Sequence, residues 1–187
     1  MSHQLIQLNQ MKKLHLIIAC ILYSLNSIGQ QIGTNDEVMQ LTLPKGTSKI
    51  NKEEYNDFMN KRYDKSSGVD FHDHVFKKNR LLIYYSNSSV SSPKFKRSLE
   101  SSQRIMVGVF KQYSKTIVVD TAKIIVVNNI RFSIIEYHEN DVFHIRFTSD
   151  YDKNLRFIVG FIEYKKSDQV EAEEYLKELL QSMHFKG

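Results

Sequence analysis

The stretch that decides the fold is residues 124–164, IIVVNNIRFSIIEYHENDVFHIRFTSDYDKNLRFIVGFIEY. Its apolar residues recur with a period of two. Ile130, Phe132 and Ile134 alternate with Arg131 and Ser133, and Phe143, Ile145 and Phe147 alternate with His144, Arg146 and Thr148. Leu155, Phe157, Val159 and Phe161 form the last alternation. A period of two places side chains on opposite faces of a strand, so each run is a half-buried β-strand. The breaks are short and rich in turn formers: Asn128-Asn129, Glu139-Asn140-Asp141 and Asp150–Asn154. Asn tolerates the left-handed conformation that tight hairpins need. Short turns between alternating strands imply an antiparallel meander. Ile158, Ile162 and Tyr164 make the last strand apolar on its second face too, which predicts a central strand covered on both sides.

Upstream of the meander, Phe95, Leu99, Ser102, Met106, Val109 and Tyr113 follow three- and four-residue spacing, the stripe of an amphipathic helix, with Ser92-Pro93 as its start. Leu81–Tyr85 reads as a strand and Ser86–Ser92 as a loop. Asn51 and Glu54 form a capping box for an earlier helix carrying Tyr55, Phe58 and Met59. Val38–Leu43 reads as a first strand stopped by Pro44 and Gly46. Downstream, Asp168 with Glu171 predicts a second capping box. The closing helix carries Val170, Tyr175, Leu176, Leu179, Leu180 and Met183, with Lys177, Glu178 and Gln181 facing water. The fold class is α+β: an antiparallel meander packed by helices.

The N-terminus has a different grammar. Lys12 and Lys13 precede an apolar run from Leu14, which gives way to the small and polar Ser24, Asn26, Ser27 and Gly29. Basic, apolar and small in that order make a secretory signal peptide over residues 1–30, cleaved near Gly29–Gln31. The apolar run is shorter than the roughly 20 residues a membrane-spanning helix needs, so no stable transmembrane segment is expected after cleavage. Either Met1 or Met11 can serve as the start. Cys20 is the only cysteine. Ile17-Ile18-Ala19-Cys20 resembles a lipoprotein processing box, but the apolar Ile21-Leu22 follows where a polar tether belongs. Cleavage after residue 30 leaves a thiol-free α+β domain over residues 31–187, in the periplasm or secreted.

Charge excludes one class of partner. The chain carries 26 basic and 21 acidic side chains, and loss of Lys12 and Lys13 leaves 24 against 21. Nucleic-acid binders concentrate basic residues on one face. Here the nearest approach is Lys94, Lys96 and Arg97, with Arg104 and Lys111 beyond, and a solvated helix face explains it. The abundance of Lys, Ile, Ser and Asn fits an AT-rich bacterial genome.

The chain resembles the PsbP-like α/β/α sandwich family. The residues that carry the resemblance are Leu43-Pro44-Lys45-Gly46, then Ile158–Tyr164, and Ala172–Phe185 with Leu179-Leu180-Gln181-Ser182-Met183-His184-Phe185. It covers most of residues 35–187. It implies binding and assembly roles in protein complexes rather than catalysis, and it carries over no site residue.

Candidate chemistry is sparse. Asp70-Phe71-His72-Asp73-His74 sets two imidazoles and a carboxylate on one face of an extended segment, a donor set for a divalent metal. Three ligands so close together need help, for which His138, Glu139, Asp141 and His144 are the available groups. A solvated polar strand is the simpler reading. No Gly-x-Ser-x-Gly elbow and no Gly-rich phosphate loop is present. Tyr84, Tyr85, Tyr137 and Tyr164 can line a groove or fill a core. The expectation is a non-catalytic exported protein with no catalytic, cofactor or metal site, acting through contacts with another envelope or extracellular protein. The alternatives are an immunity protein that neutralises an exported toxin and, behind it, a metal-dependent enzyme using His72 and His74.

Overall fold

The computed structural model describes residues 39–63, 75–113 and 116–185. Residues 1–30, read above as a signal peptide, with Cys20 among them, and the His72/His74 cluster lie outside the described residues.

In chain order the elements are β1 (Met39–Gln40), β2 (Ser48–Lys49), α1 (Lys52–Tyr63), β3 (Val75–Lys78) and β4 (Leu81–Ser89). There follow a 3-10 turn (Pro93–Phe95), α2 (Leu99–Tyr113), β5 (Ile117–Val127), β6 (Ile130–Glu139), β7 (Val142–Ser149) and β8 (Arg156–Lys165). A second 3-10 turn (Lys166–Asp168), α3 (Gln169–Ser182) and β9 (His184–Phe185) close the chain. Seven strands form one antiparallel sheet in the order β2-β3-β4-β8-β7-β6-β5. The meander is as the alternation implies, and β8 is the central strand. Asn128, Asn129 and Asn140 take positive φ in its hairpin turns.

Helices cover both faces. On one face α3 lays Ala172, Tyr175, Leu176, Leu179, Leu180 and Met183 against Phe132, Ile134, Ile145, Phe147, Ile158 and Ile162. Each large apolar side chain so buried contributes roughly 1.5–3 kcal/mol. On the other face α1 brings Tyr55 to Val75 and Leu82, and α2 brings Met106 and Phe110 to Ile135 and Tyr137. This is an α+β fold with its sheet between two helical layers.

The Asn51–Glu54 capping box forms as read: Glu54 N–H donates to Asn51 Oδ1, and Asn51 N–H to Glu54 Oε2. Other local readings are overturned. The first strand is only Met39–Gln40, paired with His184–Phe185. Leu41 and Leu43 leave the ladder to pack on the α3 core, and Thr42 is held by Ser182 instead. The Ser/Asn-rich segment is strand as far as Ser89, because Ser86–Ser89 pair with Arg156–Val159. Neighbouring β8 overrides weak intrinsic propensity there.

The long helix does not begin at Pro93. Ser92 caps only the 3-10 turn, Lys96 is extended, and α2 starts after Ser98, whose Oγ accepts from Ser101 N–H. Phe95 is consequently exposed, and Phe110 joins Met106 on the buried side. Leu155 is not part of the last strand. It sits at φ 63 in a turn built by Asp152, which accepts from Asn154 N–H and Arg156 N–H. The Asp168–Glu171 box does not form. Asp168 turns to Arg80, and Glu171 accepts from Asn79, so these carboxylates tie α3 to the β3–β4 turn. Val170 is exposed.

Candidate binding cleft and sheet edge

The 3-10 turn and the start of α2 stand away from the sheet and leave a cleft of about 100 Å³. Its floor is Ile135 of β6, Arg146 and Thr148 of β7, and Phe157 of β8; Leu99 and Met106 of α2 form its wall. Phe95 and Ile105, both exposed, stand at its mouth with Arg97. The break that separates the turn from α2 creates this space, since an unbroken helix from Pro93 would carry Phe95 onto the core.

Arg146 is the group that sets the chemistry. The alternation of β7 gives it the polar side of the strand, yet that side lies under α2 and Arg146 is only 5% exposed. Its guanidinium lies 4.9 Å from the ring centroid of Phe161. A desolvated cation over an aromatic face gains about 2 kcal/mol. No carboxylate pairs with it among the described residues. Burial pushes its pKa down, the direction expected of a cation taken out of water without a counter-charge. Three of the neutral polar residues around the cleft bond within the protein. Gln103 Nε2 donates to Lys123 O and Ser133 Oγ, and Ser149 Oγ donates to Asp150 O while accepting from Ile158 N–H.

Beside the cleft, His144 stacks on Tyr137 at 4.7 Å and its Nδ1 lies 3.7 Å from Glu163 Oε2. Tyr84 stacks on Phe161 at 4.7 Å. Burial pushes the Tyr84 and Tyr137 phenols up, with Glu163 adding to both. Cross-strand register places Tyr84 and Tyr137 on this face and Tyr85 and Tyr164 on the α3 face, where Tyr85 stacks on Phe76 and Tyr164 packs at a tilt against Phe143. The four tyrosines therefore line no common groove.

No family model matches the chain, and no curated protein matches it. Among solved structures it is similar to the solution structure of cyanobacterial PsbP (CyanoP) from Synechocystis sp. PCC 6803. The match has 13% identity and a TM-score of 0.46, and covers 86% of this chain and 99% of that one. The likeness is to a PsbP protein.

The four residues available to assist His72 and His74 do not converge. His138 lies on the α3 face with Asp120, 2.9 Å from Nδ1 to Oδ2. His144 lies on the opposite face with Glu163. Glu139 accepts from Thr116, and Asp141 pairs with Lys165 at 2.6 Å. Among the described residues no three His, Cys, Asp or Glu side chains gather in a metal-binding group. The basic run is not one helix face: Lys94 is in the 3-10 turn, Lys96 and Arg97 follow it, and only Arg104 and Lys111 are on α2.

A second surface is the edge strand β5, which pairs only with β6 among the described residues. Val118 is 50% and Val126 64% exposed along it. A bulge at Asp120 interrupts the register between Val119 and Thr121, a device that blunts open edges. The half from Thr121 to Val127 keeps regular pairing. The edge position of β5 follows from the sheet order alone. Among the described residues no helix is long and apolar enough to cross a membrane.

Proposed function

We propose that this chain is an exported, non-catalytic binding or accessory protein of the bacterial envelope, acting through contacts with another protein. The observation that carries the reading is the apolar exposure along an open sheet edge, Val118 and Val126 on β5. Exposed apolar side chains beside a strand edge that no other strand among the described residues pairs with are the elements of β-strand addition by a partner. The basic–apolar–small pattern of residues 12–30 supports export.

Site-specific photocrosslinking in the native envelope tests this. A crosslinker at Val126 should join the chain to one discrete partner, and a crosslinker at Lys177 on exposed α3 should not. The same partner from both positions, or none from Val126, would contradict the reading. Intact mass of the envelope form should lack about the first 30 residues. A full-length mass would overturn export, and a lipid-modified mass beginning at Cys20 would replace cleavage near residue 30 by lipoprotein processing.

A further inference from the structure

We propose that the cleft beneath α2 binds a small monocarboxylate with an apolar body, its carboxylate held by Arg146. This site is separate from the β5 edge. Three observations carry it. First, Arg146 is buried and lines the cleft, and no carboxylate pairs with it among the described residues. A buried charge is costly unless paired, so a cation left in this state is complemented by an anion from outside. Its planar fork of donors matches the two oxygens of a carboxylate. Second, the rest of the enclosure is mainly apolar: Leu99, Met106, Ile135 and Phe157, with Phe95 and Ile105 at the mouth. Third, the lining holds a second cation, Arg97, and no acidic residue.

The chemistry narrows the ligand further. Three of the neutral polar lining residues, Gln103, Ser133 and Ser149, are already engaged in the protein's own hydrogen bonds. Arg97 is exposed at the mouth and keeps its hydration, so the charge that must be balanced out of water is the single guanidinium of Arg146, which matches one negative charge better than a dianion. A volume of about 100 Å³ is of the order that accepts a single aromatic ring or a short acyl segment. A longer chain has the apolar mouth at Phe95 and Ile105 to lie across. Burial pushes the Arg146 pKa down, as expected of a guanidinium taken out of water, and a bound carboxylate would offset that cost.

Calorimetric titration of the full chain with benzoate and octanoate tests the assignment, with benzyl alcohol and octanol as neutral counterparts and inorganic phosphate as competitor. Both carboxylates should bind at least about tenfold more tightly than their alcohols. Phosphate at equal concentration should not displace them. Arg146→Met should lose at least about tenfold in carboxylate affinity and leave alcohol binding unchanged. Should Arg146→Met fail to fold, the wild-type chain still decides: benzoate should shift the NMR methyl signals of Met106 and Ile135 at concentrations at least about tenfold lower than benzyl alcohol needs. Equal affinity for alcohol and carboxylate, displacement by phosphate, unchanged binding in folded Arg146→Met, or no binding of either carboxylate up to about 10 mM would each overturn the proposal.

Discussion

Gly160 of β8 and Phe147 of β7 are register partners, and the Phe147 ring fills the space that a side chain on Gly160 would occupy. A Cβ there would lie 2.6 and 2.7 Å from the ring carbons Cε1 and Cε2. The central strand is thus packed to contact against a fully buried phenylalanine, and the glycine is required for closeness rather than for an unusual φ.

Gly160→Ala should therefore destabilise the fold by about 1–3 kcal/mol through overpacking. Phe147→Leu in the same chain should recover part of that loss, since the two residues share one space. Urea unfolding of the two single variants and the double variant checks both. Additive losses would show that the ring and the glycine do not compete.

Leu179 is fully buried between α3 and the sheet. Leu179→Ala should cost about 2–5 kcal/mol from lost transfer energy and the cavity left behind. An unchanged unfolding midpoint would mean that α3 does not pack as described and would make its apolar face available to a partner.

Alkali should destabilise the protein through its buried tyrosines. Burial raises the phenol pKa of Tyr164 and Tyr175 to about 12 each, and pushes those of Tyr84 and Tyr137 up as well. In the unfolded chain phenols titrate near pH ~10. The folded state holds these protons more tightly, so their stabilising contribution is fully present below about pH 10 and is lost as pH rises toward 12. The urea midpoint should stay level up to about pH 9.5 and fall above about pH 10. A urea midpoint that stays level well above pH ~10 would contradict the burial of these rings.

The architecture was legible where local pattern and tertiary context agree. The alternation of Phe132, Ile134, Ile145 and Phe147, broken by Asn-rich turns, carries the meander, and the two-faced apolarity around Ile158 and Phe161 places β8 at the centre. Misreadings fall where context overrides pattern. Ser86–Ser89 are polar yet paired on β8, and Pro93 begins a single turn rather than α2. The Asp168 carboxylate is drawn to Arg80 and caps nothing. Arg146 is the instructive case. Alternation assigns it to the water side of β7, but a strand beside a doubly covered β8 has no water side along that stretch. That signal was available in Phe157, Val159 and Phe161, which must be covered by something that also covers Arg146. The cleft itself was not legible, because it depends on the gap between Phe95 and Leu99.

The role of the β5 edge is tested most directly by the chain carrying Val118→Asp and Val126→Asp. Both residues are at least half exposed, so the urea midpoint should be within about 0.5 kcal/mol of the parent chain. Partner recovery, measured by crosslinking and mass spectrometry from the native envelope, should fall at least about tenfold, because charge on an open edge opposes strand addition. Undiminished recovery of the same partner by this folded variant would contradict the proposal that the protein binds through β5.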